Sequence, residues 1–280
     1  MSTILVVANE TLAGAKLLET VKERAAAGGE DTRVIVCVPR NKPKHGNIIY
    51  DDFVFDAAKV RIDLARRFLR DEGITAIGDI GDPDPYTATL DAVAEHHPDE
   101  IIVSTYPATV SGWLRRDLIE RIEQATGLPV THCEQDIDAE GIPFHVTLAV
   151  AAKTASSDEL LNALKEKAAA AERRSLFIVV VPQEGGEGQH AARARARMAQ
   201  VVDRLVSEGL IAAGMIGDPD PYTATMNALQ FFRVDDIVIS TLPATRSGWL
   251  RADLIERVRK VTNKPVEHVE AAERAPSAAA

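Results

Sequence analysis

The stretch IGDPDPYTATLDAVAEHHPDEIIVST, residues 80–105, returns as IGDPDPYTATMNALQFFRVDDIVIST at 216–241. The offset is 136 positions, and SGWLR at 111–115 returns at the same offset, at 247–251. A period this long is the size of a whole domain rather than of a solenoid repeat. The 280-residue chain therefore reads as two copies of one fold. Within each stretch a strand ends in a glycine turn, a helical segment follows, and a continuously apolar run closes it. That is strand–helix–strand, and the apolar run reads as a strand covered on both faces.

Working outward, the first copy offers strands at TILVVA (3–8), RVIVCV (33–38), TAIGDI (75–80), EIIVST (100–105) and LPVTHC (128–133). Helical spacing falls between them at 13–27, 51–71, 84–97 and 112–125, with Phe55, Ala58, Ile62, Ala65 and Leu69 on one face of the second. The second copy repeats the strands at 145–151, 176–181, 212–216, 236–241 and 264–269. Strict alternation predicts an α/β fold, two tandem doubly wound five-stranded parallel sheets with right-handed crossovers. The expected domains are 1–134 and 144–270, joined by a short acidic linker at 135–143 and followed by a disordered tail at 271–280.

Composition narrows the partners. The net charge of −10 argues against a grip on nucleic acid, which needs clustered Lys and Arg. No apolar run approaches the ~20 residues of a membrane helix, and the N terminus carries no secretory pattern. The two cysteines, Cys37 and Cys133, match Val180 and Val269 in the second copy, so both read as small buried apolar positions. With no disulfide framework, the cytoplasm is the expected compartment.

The copies are unevenly alike. About 15 of 37 positions match between 3–39 and 146–182, against about 31 of 53 between 81–133 and 217–269. A constraint beyond shared descent acts on the later segment, or the halves have exchanged sequence. In open parallel sheets ligands bind beyond the carboxyl ends of the strands, and the matched motifs fall there. In GDPDPYTAT, Gly81 suits a tight turn and Asp84 an N-cap before proline. Asp82 and its partner Asp218 either bond local amides or touch a ligand. In STYPATVSGWLR, Ser104, Thr105, Ser111, Gly112 and Arg115 cluster where a helix starts, as do Ser240, Thr241, Ser247, Gly248 and Arg251. Free N–H groups at such a start suit phosphate. The alternative is a Ser111 cap with Arg115 paired at the surface. Trp113 and Trp249 read as packing residues, and His132 and His268 as edge or interface residues. His96 and His97 become Phe232 and Arg233, so they read as surface residues, and no metal set assembles. Nucleotide-loop, metalloprotease and nucleophile-elbow signatures are absent and no catalytic set can be built, so a binding role is favoured over an enzymatic one, with a hydrolase or adenylyl transferase of the wider nucleotide-binding α/β group kept as a further alternative.

A unit opening with ILVVANET, continuing through IGDPDPYTATLDAVAEHHPDEIIVST and closing with SGWLRRDLIERIEQATGLPVTHC, resembles a universal stress protein domain, over nearly the whole of both copies. The resemblance implies strand order 3-2-1-4-5 and dimerisation through the last strand. In a tandem chain it places LPVTHC beside KPVEHV within the molecule, and leaves a homodimer open. Many members bind ATP. By that likeness Asn9 ends the first strand where the family has aspartate, and Val38 (Val181 in the second copy) lies where adenine rests. Ser104 and Thr105 begin the phosphate loop, with Ser111 and Gly112 near its end. The chain departs from the pattern: Ser104 replaces the first loop glycine, Pro107 interrupts the loop, and Asn9 becomes Ala152. The expectation is a tandem universal-stress-type protein in a stress-response role. It would bind ATP, another adenine nucleotide or another phosphorylated ligand at each sheet edge. The alternative is a ligand-free interaction or scaffold protein of the same fold.

Overall fold

The computed structural model describes residues 2–29, 31–40, 51–109, 111–113, 117–183, 189–251 and 253–272. Two compact units divide the chain, the fold of the second beginning at Phe144. The first runs β1 (Thr3–Val7), a 3-10 turn (Glu10–Ala13), α1 (Ala15–Gly28), β2 (Arg33–Pro39), α2 (Asp51–Asp71), β3 (Thr75–Gly81), α3 (Pro85–His96), β4 (Glu100–Thr105), α4 (Leu118–Thr126), β5 (Val130–Glu134) and α5 (Ile137–Glu140). The second runs β6 (Phe144–Ala151), α6 (Asp158–Ala170), β7 (Arg174–Pro182), α7 (Gln189–Ser207), β8 (Ile211–Gly217), α8 (Pro221–Phe231), β9 (Asp236–Thr241), α9 (Gly248–Arg251), α10 (Leu254–Val261) and β10 (Val266–Glu270).

Both sheets are parallel, in the orders β3-β2-β1-β4-β5 and β8-β7-β6-β9-β10. Each chain path therefore reverses between its first and fourth strands, which is the switch point where an open sheet leaves a crevice. Continuous apolar runs make the central strands buried on both faces: Leu5, Ile35 and Ile101 have no exposed surface. Burying each such side chain contributes about 1.5–3 kcal/mol. The helices close over the sheets with their apolar stripes, Leu118 and Ile122 of α4 packing with Val103 and Ala92. In α7 and α6, Val202, Leu205 and Leu164 do the same in the second unit.

The GDPDPYTAT segment folds identically in both units. A β-carbon on Gly81 would lie 2.5 Å from Cβ of Ala88, and one on Gly217 2.6 Å from Cβ of Ala224, so helix and strand approach too closely for any other residue. The Asp84 carboxylate accepts the Thr87 amide at 3.1 Å, and Asp220 accepts that of Thr223 at 2.9 Å. Arg121 and Arg257 stack over the Tyr86 and Tyr222 rings at 3.9 and 4.1 Å. Local structure thus accounts for much of the identity between the copies here.

Three expectations are corrected. The helix read over 112–125 is not continuous: α4 starts at Leu118, directly after Asp117, whose backbone is left-handed (φ 49°). In the second unit one helical turn, α9, precedes the same break at Asp253 (φ 50°). Phe55, expected on the buried face of α2, is 44% exposed, and the buried residues of that helix include Val54, Ala57, Ala58 and Leu69. The segment read as a linker is structured within the first unit. Asp136 caps α5, and Gln135 and Ile137 are buried. Residues 273–280 of the expected tail lie outside the described residues.

Candidate functional site

In the first unit a cleft of about 780 Å³ opens beyond the carboxyl ends of the paired strands β1 and β4. Its floor is Asn9, Thr11, Ser104 and Thr105; its walls include Arg40, Pro83, Tyr106, Ser111, Gly112, Trp113 and Arg121. The second unit has a cleft at the matched place, smaller at about 280 Å³, floored by Ala152, Thr154, Ser240 and Thr241 and walled by Ser247, Gly248 and Trp249. Neither is plugged: Trp113 forms a wall and packs on the core of its unit.

The hydroxyls on the floor of the first cleft join one hydrogen-bond network, in which Gln135 Oε1 is buried without a partner. Thr11 Oγ1 donates to the Ser104 carbonyl at 3.2 Å, and Ser104 Oγ donates to Thr11 Oγ1 at 2.9 Å. Gln135 Nε2 donates to the Thr11 carbonyl at 2.9 Å and to Ser104 Oγ at 2.8 Å. In the second unit Ala271 stands in the place of Gln135, its amide making the matching bond to the Thr241 carbonyl. There Ser240 Oγ lacks the donor that Gln135 gives Ser104, and both it and Thr154 Oγ1 are buried with no hydrogen-bond partner. Asn9, 5% exposed, donates from Nδ2 to the Pro39 carbonyl at 2.9 Å and leaves its buried Oδ1 unpartnered on the floor of the first cleft. An unpaired buried acceptor of this kind is where a donor on a ligand gains most.

Electrostatically the clefts differ. Glu10 and Asp84 balance Arg40 and Arg121 around the first. The second is lined by Lys153 and Arg246 with no carboxylate among its described lining residues. Burial pushes the Arg61 guanidinium of α2 down to about 10, against the opposing pull of Glu10 and Tyr106.

At the end of β4, Thr105 Oγ1 donates to the Tyr106 carbonyl at 2.8 Å and meets His132 Nε2 at 2.9 Å. The hydroxyl has one proton, so the imidazole nitrogen is the donor to it. Thr241 and His268 repeat the arrangement at 2.8 Å. Burial holds His132 below its ordinary value, with Glu134 opposing and Lys16 adding to the fall. The matched histidines thus steady the fourth strand's end.

Of the residues singled out from sequence, Asn9, Ser104, Thr105, Ser111 and Gly112 meet at the first cleft, and Ser240, Thr241, Ser247 and Gly248 at the second. Asp82 and Asp218 line neither; each accepts the amide two residues on, from Asp84 and Asp220, at 2.8 Å. Val38 and Val181 are wholly buried, and the second strand reaches the clefts through Arg40 and Gln183 instead. Ser247 Oγ accepts the Leu250 amide at 3.2 Å, capping α9. Arg115 lies outside the described residues, as does the side chain of Arg251. Sequence reading missed Arg40, Tyr106, Arg121 and above all Gln135. The signal for Gln135 was present: it and Gly14 both change, to Ala271 and Ser157, where the copies are laid together.

No family model matches the chain, and no curated protein matches it. Among solved structures it is similar to a universal stress protein from Archaeoglobus fulgidus DSM 4304. That likeness has 15% identity and a TM-score of 0.35 and covers 97% of each chain. It is also similar to a functionally unknown protein from Pseudomonas aeruginosa PAO1, at 16% identity and TM-score 0.32, covering 97% of this chain and 93% of that one. The fold assignment itself rests on the strand order. No described helix is long and apolar enough to cross a membrane.

Proposed function

We propose that the protein is a tandem universal-stress-type binding protein with a stress-response role, whose first unit takes an adenine nucleotide in the cleft beyond β1 and β4. The observation that carries this reading is the pairing of that cleft with Asn9. About 780 Å³ lies within the ~300–1,000 Å³ range of small-molecule sites, and the cleft is lined by Asn9, whose buried Oδ1 has no hydrogen-bond partner. Arg40 and Arg121 supply the charge to hold phosphate oxygens. The second cleft, smaller and lined by Lys153 and Arg246, suits a smaller phosphorylated ligand.

The test is calorimetric titration of the full chain with ATP, AMP and inorganic phosphate, with thermal unfolding alongside. Saturable binding of ATP or AMP supports the reading. Silence toward all three sinks it.

One observation favours a second reading, that of a ligand-free interaction protein. The hydroxyls of Thr11 and Ser104 already bond to each other and to Gln135, so they offer a phosphate little. Silence in the titrations supports this reading.

A further inference from the structure

We propose that Asp79, Glu95 and His96 form a site in the first unit for one divalent transition-metal cation of the Zn²⁺ type. Asp79 stands on β3, an outer strand of its sheet, and Glu95 and His96 close α3. One ligand atom from each residue lies within 4.8 Å of the others. The donor set is mixed: two carboxylates and an imidazole.

Four observations converge. His96 Nε2 is buried and has no hydrogen-bond partner. It faces Asp79 Oδ2 across 3.5 Å. That distance is loose for a hydrogen bond, but it matches the edge of a tetrahedron around a cation, about 3.4 Å for bonds of about 2.1 Å. The three residues gather at the carboxyl end of α3, where the helix dipole favours positive charge. Finally, the second unit carries Met215, Phe231 and Phe232 at the same three places, all buried, with the two rings 6.4 Å apart. The fold is therefore content with apolar groups here, and the polar trio of the first unit is not something the architecture demands.

The chemistry selects the ion. Two carboxylates neutralise a dication, and an imidazole donor favours Zn²⁺ and its neighbours over Mg²⁺ and Ca²⁺, which take oxygen ligands. Three protein ligands leave the fourth tetrahedral position to solvent. A bound ion would tie the outer strand to the end of α3, so it would stabilise the first unit alone.

The experiment strips the full-length protein with a chelator and titrates it with Zn²⁺ alone by calorimetry, then with Mg²⁺. One Zn²⁺ per chain is expected, with no saturable Mg²⁺ binding and a higher unfolding midpoint when Zn²⁺ is present. Asp79→Asn and His96→Gln should each weaken Zn²⁺ binding by about 100-fold or more. Asp79→Met with His96→Phe, side chains the second unit accommodates, should abolish binding in a folded protein. Absence of saturable Zn²⁺ binding overturns the proposal. So does an affinity unchanged in these variants, or a Mg²⁺ response equal to that of Zn²⁺.

Discussion

The side-chain amide of Gln135 fills the space in front of Gly14 that any β-carbon there would need. The second unit solves the same junction the other way round, with Ser157 at the glycine's place and Ala271 at the glutamine's. Each pair fits itself and would clash or leave a gap if mixed. In the first unit the glutamine joins the cleft floor to the segment after β5, and in the second that tie is gone.

This exchange predicts a coupling. Gly14→Ser alone should destabilise the first unit by about 1–3 kcal/mol through overpacking. Gln135→Ala alone should cost about 1–3 kcal/mol by stripping a partner from Ser104 and Thr11. Together they should cost less than the sum, with about 1 kcal/mol or more of favourable coupling. Each unit carries one tryptophan, so urea unfolding followed by Trp113 fluorescence in a Trp249→Phe background isolates the first unit. Strict additivity would refute the jigsaw reading.

The cleft makes a second prediction. Asn9→Ala copies the second unit's Ala152, so the fold tolerates it. It should nonetheless weaken adenine-nucleotide binding about tenfold, or about 1.4 kcal/mol, by removing the free Oδ1. Calorimetric titration measures this, and equal affinity in the variant would remove Asn9 from the site.

Acid sensitivity is the third. His132 is held below its ordinary value of 6.5, so the unfolded chain binds a proton more readily than the folded one. Stability rises with pH wherever the unfolded state binds more protons. The His132 contribution is therefore whole above about pH 6.5, falls as pH drops from there toward the lower folded value, and levels off below it. His132→Gln should flatten that part of the pH–stability curve as read by Trp113. An unchanged slope would count against burial as the cause.

A fourth concerns the breaks before α4 and α10. Asp117 and Asp253 both take left-handed backbones, and neither side chain caps its helix. Backbone conformation rather than the carboxylate is then what the site requires. Asp253→Ala should lose about 1 kcal/mol, and Asp253→Gly should lose little or none. Urea unfolding of the second unit, followed by Trp249, separates the two; equal losses would point to the carboxylate instead.

Much of this molecule was legible in the sequence because its signals are local. Apolar runs between amphipathic stretches gave β4 and α2 their observed limits, and Asp84 before Pro85 gave the cap of α3. The helix after the fourth strand was misjudged because a left-handed aspartate leaves no mark in hydrophobic spacing. Phe55 was misplaced because a helix's apolar arc is wide and only the packing partner decides where it ends.

By itself the sequence determined the twofold repeat, the alternation of strands and helices, and the motifs at the strand ends, since each is written in neighbouring residues or in a fixed offset. Only the tertiary structure decided which side chains meet: Gln135 with Thr11, 124 positions away, and His96 with Asp79 across a strand and a helix end. Contacts of that kind depend on strand order and register, which place residues distant along the chain within bonding distance.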